Sequence, residues 1–185
     1  MKPLPLCFPS LWIAGKAFHK MKTKKFTYIL FSIYFVALAW IILLKGQFAL
    51  PNLGFYRNIN LIPFQGSSIV NGKIDLDEII GNVFIFFPYG IFMGALYPET
   101  SFPKKLLPIF VTTLAFEILQ YILGIGATDI TDLITNTTGG LIGLFLYLLL
   151  EKLFKERTLA IINIITLVCT LALLSLFTVI IIYNL

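Results

Sequence analysis

The sequence predicts an all-α membrane protein. Five transmembrane helices form one bundle, with an extracellular loop and hairpin between the first and second. Three observations lead there. Hydrophobic residues make up 58% of the 185 residues and charged residues only 12%, far from the balance of a soluble domain. Five apolar runs are long enough to cross a hydrocarbon core of about 30 Å. Basic residues gather on alternate connections between those runs, which is the pattern that sets membrane orientation.

Residues 1–25 read as a basic tail carrying Lys2, Lys16, Lys20, Lys22, Lys24 and Lys25. Pro3, Pro5 and Pro9 interrupt its weakly apolar start, which is too short to span and a poor signal-peptide core. Met21-Lys22-Thr23-Lys24-Lys25 before an apolar run resembles a bacterial start, so translation is expected to begin at Met21, with residues 1–20 a start-site artefact. The first helix is Phe26–Leu44. Ala37-Leu38-Ala39 resembles a cleavage site but lies within the apolar run, so this helix is expected to stay as an uncleaved anchor.

The first loop, Lys45–Asp77, has readable local structure. Asn71-Gly72 between Ile69-Val70 and Lys73-Ile74 is a hairpin signal, because both turn positions need positive φ. Asp75 followed by Glu78 makes a capping-box-like helix start. Upstream, Arg57-Asn58-Ile59-Asn60-Leu61-Ile62-Pro63-Phe64 alternates polar and apolar residues. It is expected to lie over the bundle and turn Arg57 and Asn60 toward it, with a plain solvated loop as the alternative.

The second helix, Ile79–Tyr97, carries Asn82 on the same face as Glu78, four residues earlier. Asn82 serves either a site or a simple bond between helices. Pro88 removes a backbone hydrogen bond inside this helix and predicts a kink. Gly90 and Gly94 offer a small face for close packing.

The third helix, Leu106–Ile125, follows Lys104-Lys105 and holds the most informative residue of the chain, Glu117. A carboxyl in the bilayer core costs a few kcal/mol. Counting from Gly124, Glu117 lies roughly 10 Å deep at ~1.5 Å per residue, too deep for a comfortable reach to water. Gln120 shares its face, with Thr113 one turn below. The bland reading is a structural carboxyl, neutral or paired with Arg57 or an asparagine.

The fourth helix, Leu133–Leu150, opens after Thr128-Asp129-Ile130-Thr131-Asp132 in the Gly124–Asp132 loop. Asp129 as N-cap and Asp132 at the third helical position suit the positive end of a helix. Asp132, Asn136, Gly139 or Gly140, and Gly143 form one stripe at helical spacing. Its glycines are expected to bring that stripe against the Glu117 face. A basic loop, 151–158, leads to a fifth helix, Leu159–Tyr183, which completes a chain with no separate soluble domain.

Of the fourteen basic residues, only Lys45, Arg57 and Lys73 fall on the side of the first loop. The positive-inside rule therefore places the N-terminus in the cytoplasm and the C-terminus outside, in a multi-pass plasma-membrane protein. The net charge of +5 is mostly this asymmetry, so no nucleic-acid partner is expected. Cys7 in the tail and Cys169 in the last helix are badly placed for a disulfide. His19 stands alone among lysines and reads as a solvated residue.

Four ordered blocks then carry a family likeness. They are Arg57…Asn60-Leu61-Ile62-Pro63-Phe64; Asn82…Phe86-Phe87-Pro88-Tyr89-Gly90; Glu117-Ile118-Leu119-Gln120; and Asp129-Ile130-Thr131-Asp132…Asn136…Gly139-Gly140…Gly143. From about Phe26 to Leu150 the chain resembles the VanZ-like family, named for a protein giving low-level teicoplanin resistance in Gram-positive bacteria. The resemblance implies a small membrane protein of the cell envelope, with antibiotic response a more secure expectation than any reaction.

Two uses of the polar residues are expected from their chemistry. In an enzyme acting on a lipid-linked or cell-wall precursor, Glu117 and Asp132 would be the catalytic pair, with Glu117 as general acid or base. Arg57, Asn60, Asn82, Gln120, Asp129 and Asn136 would bind substrate, Arg57 taking an anionic group such as phosphate. In a non-catalytic binder, the same residues would hold a lipid headgroup, a precursor or a lipoglycopeptide. Carboxylates with Asn and Gln suit Mg²⁺ or Ca²⁺, but no His or Cys joins them, so no cofactor is expected. A transporter is the least favoured class, since the sequence shows neither an inverted repeat nor paired broken helices. The substrate and the oligomeric state are not legible.

Overall fold

The computed structural model describes residues 23–44, 56–65, 69–70, 73–74 and 76–183. The expectations for residues 1–20, for a cap at Asp75 and for the turn residues Asn71-Gly72 lie outside the described residues. Helix α1 runs Lys24–Leu44, followed by strand β1 (Tyr56–Asn60), the short strands β2 (Ile69–Val70) and β3 (Lys73–Ile74), and helix α2 (Leu76–Leu96). Helix α3 (Phe102–Leu123) leads into strand β4 (Ile125–Asp129) and helix α4 (Ile130–Phe154). A 3₁₀ turn (Lys155–Arg157) connects α4 to α5 (Thr158–Tyr183).

Four helical segments are long and apolar enough to cross a membrane: Lys24–Leu43, Leu76–Leu96, Phe102–Leu123 and Ile130–Ala172. The last covers 43 residues and takes in α4, the 3₁₀ turn and much of α5. The exposed surface of α3 includes Leu107, Phe110, Val111, Leu114, Ile118 and Ile122, while the same helix buries Lys105, Thr113, Glu117 and Gln120 beside Ile109 and Phe116. That inverts a soluble helix, which hides its apolar stripe. It is the distribution that a lipid solvent selects.

The helices start and stop where local chemistry dictates. Ser101 caps α3 in an extended conformation, with proline in the first turn, where a missing N–H costs nothing. Gly124 ends α3 in the left-handed conformation at φ 63°, and its N–H returns to the carbonyls of Gln120 and Tyr121. Asp129 caps α4, its carboxylate accepting the N–H of Thr131 at 2.8 Å.

The central packing is between α2 and α4. A Cβ on Gly90 would stand 1.9 Å from the carbonyl oxygen of Gly140, and one on Gly143 would stand 2.0 Å from that of Phe87. Only glycine allows the two backbones this close. The glycine stripe of α4 thus meets α2 at Gly139 and Gly143, whereas the α3 face was the anticipated partner. Only Gly140 turns toward α3, where it abuts Ile109. Around this seam Leu38, Phe86, Tyr89, Met93, Ile109, Phe116 and Leu144 form the apolar core.

Strand β1 pairs with β4 in parallel, from Tyr56 opposite Ile125 to Asn60 opposite Asp129. Parallel pairing needs a long crossover, which α2 and α3 supply. Strands β2 and β3 pair antiparallel, Ile69 with Ile74 and Val70 with Lys73.

Candidate functional site

The site is built where α3 ends and α4 begins. Helix α3 delivers Glu117, which is 3% exposed, and its Oε2 accepts the backbone N–H of Asp129 at 2.9 Å. The carbonyl of Glu117 accepts the hydroxyl of Thr128 at 3.0 Å. One residue thereby fastens the end of α3 to the strand β4 that follows it. Asp132, Asp129 and Glu78 all lie within electrostatic reach of the Glu117 carboxyl.

Asp129 is a junction. One carboxylate oxygen caps α4 through Thr131, and the other accepts Asn60 Nδ2 at 3.0 Å. The same Asn60 amide donates to the carbonyl of Gln65, and its Oδ1 accepts the N–H of Ile62 at 3.2 Å. A tight turn follows, with Phe64 at φ 58° and its N–H donating to Thr131 Oγ1 at 3.0 Å. The turn after β1 is therefore pinned over the first residues of α4.

Asp132 lies in the first turn of α4 and accepts Asn82 Nδ2 at 2.7 Å from α2. Gln120 Nε2 donates to the carbonyl of Ile42 near the end of α1 at 3.1 Å. Asn136 lies one turn below Asp132 and is 1% exposed. Of the sequence-derived candidates, Asn60, Asn82, Glu117, Gln120, Asp129 and Asp132 join this polar region through the bonds above. Arg57 takes part through its backbone, opposite Gly126 in the sheet, and its side chain lies outside the described residues. Thr128 and Thr131 are participants that sequence reading missed as side-chain partners, although both stand in the Thr128–Asp132 motif it singled out.

Among the described residues, the buried oxygens without a hydrogen-bond partner include Thr113 Oγ1, Gln120 Oε1 and Asn136 Oδ1. Thr113 and Gln120 flank Glu117 on α3. Asn136 stands on the antiparallel α4, four residues before the Gly140 that touches Ile109, just as Thr113 stands four after Ile109. Thr113 and Asn136 therefore occupy the same level, one turn below Glu117 and Asp132. Buried acceptors are nearly always satisfied, by protein, water or ligand, so each of these oxygens calls for a donor. Among the described residues no group of three His, Cys, Asp or Glu side chains could hold a metal ion.

Apolar helices turned outward around a cluster of buried polar side chains define a small helical membrane protein. Residues 31–151 match the sequence model of VanZ/LLP1, and the chain belongs to that family. It is 40% identical over 132 residues to Protein VanZ of Enterococcus faecium, a match covering 70% of this chain and 78% of that protein. No solved structure matches the fold.

Proposed function

We propose that this chain is a multi-pass plasma-membrane protein that binds a polar group of a cell-envelope molecule in the Glu117 site, and that it contributes to low-level resistance to teicoplanin. Family membership and the likeness to Protein VanZ support the resistance role. The observation that carries the binding reading is the set of unpartnered oxygens around Glu117, on Thr113, Gln120 and Asn136. They fit a ligand that brings hydroxyl, amide or amine donors, as a lipid-linked cell-wall precursor or a lipoglycopeptide does. No cofactor has a part in this reading.

The long segment Ile130–Ala172 is read as two spans, because as one straight helix it would extend about 64 Å at ~1.5 Å per residue, twice the hydrocarbon thickness. The break falls at Lys152, Lys155 and Arg157, which gives five spans. By the positive-inside rule these residues lie in the cytoplasm with Lys104, Lys105 and the N-terminus, and the C-terminus is outside. The Glu117 site then opens toward the outer face.

A second reading, catalysis on a lipid-linked precursor, is favoured by the electrostatic coupling of Glu117 with Asp132. It uses Glu117 as acid or base, with Asp132 beside it. The two readings part on Glu117→Gln, which in an enzyme abolishes product while binding survives, and in a binder lowers affinity in step with function. The role itself is tested by expressing the chain in a teicoplanin-susceptible Gram-positive host. A raised inhibitory concentration over the empty-vector control supports it. An unchanged value with abundant protein in the membrane sinks it.

A further inference from the structure

The opposite end of α3 carries a second feature, independent of the Glu117 site. A cleft of about 350 Å³ opens between α1, α2 and the first turns of α3. Phe31, Tyr89 and Met93 line its apolar depth, while Tyr97, Lys104 and Lys105 line its polar part. Lys105 is twelve residues before Glu117, or roughly 18 Å along the helix at ~1.5 Å per residue. The two places are separate.

Lys105 is the telling residue. Only 6% of it is exposed, yet it lies near the start of a membrane-length apolar helix. Its ammonium donates to the carbonyl of Pro98 at 2.9 Å and lies 5.7 Å from the ring centre of Tyr147. An ammonium has three donors, and a buried cation calls for a compensating anion. The acidic side chains nearby are Glu99 and Glu151, both within electrostatic range of Tyr147. With Glu156 they make three acids, outnumbered at this end by Lys24, Lys25, Lys104, Lys105, Lys152, Lys155 and Arg157. Ser101 makes no side-chain cap bond, so the positive end of α3 adds to the field beside Lys104 and Lys105. Tyr97 meets Tyr28 edge-on at 6.4 Å, a pairing suited to the headgroup level of a bilayer.

We infer that this cleft binds one anionic phospholipid, its phosphate held by Lys104, Lys105 and the start of α3, its acyl chain entering between Phe31 and Met93. Charge complementarity selects an acidic over a zwitterionic lipid. The apolar depth selects a lipid over a soluble phosphate, and basic pockets between membrane helices are known to suit such headgroups.

The test is native mass spectrometry of the delipidated full chain in neutral detergent, with phosphatidylglycerol, phosphatidylcholine or glycerol phosphate added. The expected result is one phosphatidylglycerol retained per chain at least tenfold more tightly than phosphatidylcholine, with millimolar glycerol phosphate failing to displace it. Lys104→Glu, an exposed position outside the core, should cut retention about tenfold at unchanged thermal midpoint. Lys152→Glu, at the same end but away from the cleft, should leave it unaltered. Equal retention of both lipids, or equal effects of the two variants, would overturn the assignment. Displacement by glycerol phosphate would replace it with a soluble-phosphate site.

Discussion

Glu117 accepts the backbone N–H of Asp129 across twelve residues, 2.9 Å from donor to oxygen, and this bond joins the end of α3 to the cap of α4. A glutamine at 117 offers the same acceptor through its carbonyl oxygen without the ionisable group. A neutral substitution can therefore separate what Glu117 does for the fold from what it does for function.

Asp129→Ala removes the cap of α4, the acceptor for Asn60 and part of the surroundings of Glu117. Loss of a helix cap costs about 1 kcal/mol, and the half-buried Asn60 amide keeps only its bond to the Gln65 carbonyl. The thermal midpoint of the detergent-solubilised protein should fall. Asp129→Ser, which keeps the cap, should fall less. Equal midpoints for the two variants would remove the cap from the account.

The seam between α2 and α4 makes a sharper prediction. Gly143→Leu forces a side chain into the Phe87 carbonyl, so membrane abundance should drop severalfold. At Gly81 a Cβ would meet nothing within 4 Å. Gly81→Ala should be neutral or stabilise by up to about 1 kcal/mol, the helix propensity gain. Quantitative immunoblotting of isolated membranes compares the two, and a tolerated Gly143→Leu would mean the helices do not meet at this register.

The β1–β4 pairing can be trapped. Ile59 pairs with Thr128, so cysteines at those positions, in a background lacking Cys7 and Cys169, should form a disulfide when membranes are treated with a mild oxidant. Cysteines at Ile59 and Ile125 are three register steps apart, about 10 Å along the strand, and should not. Mobility on a non-reducing gel after cleavage of the intervening chain reads the outcome. Cross-linking of the offset pair alone would refute the register.

Much of this site is legible in sequence for a simple reason. Thr113, Glu117 and Gln120 stand out because polar residues at helical spacing in an apolar run must share one inward face, and all three are buried. Asp129 is readable as a cap because its position before Thr131 and Asp132 is a local matter. What escapes is the choice of partner across the chain. Spacing identifies Gly139 and Gly143 as a small face, but it is tertiary packing that lays them on Val83 and Phe87 of α2 rather than on α3. The alternation in Arg57–Phe64 signals an extended segment, yet its pairing with Ile125–Asp129 depends on a crossover of two helices. The five apolar runs are likewise countable, whereas the join at Lys155–Arg157 leaves four continuous helical segments of spanning character.

Asn82 and Asp132 should behave as a pair. Asn82→Leu removes the donor that Asp132 accepts at 2.7 Å and should reduce teicoplanin protection. Adding Asp132→Leu should then cost less than the sum of the two single changes, because contacting residues are not additive. Strict additivity in the inhibitory concentrations would show that the bond is without consequence.

The most direct test of the Glu117 site is the teicoplanin inhibitory concentration of a susceptible Gram-positive host expressing wild type or Glu117→Gln, with membrane abundance measured for each. Equal abundance is expected, since Gln keeps the acceptor for the Asp129 N–H, together with loss of the protection that wild type confers. Full protection by Glu117→Gln at equal abundance would contradict it and reduce Glu117 to a structural fastening between α3 and α4.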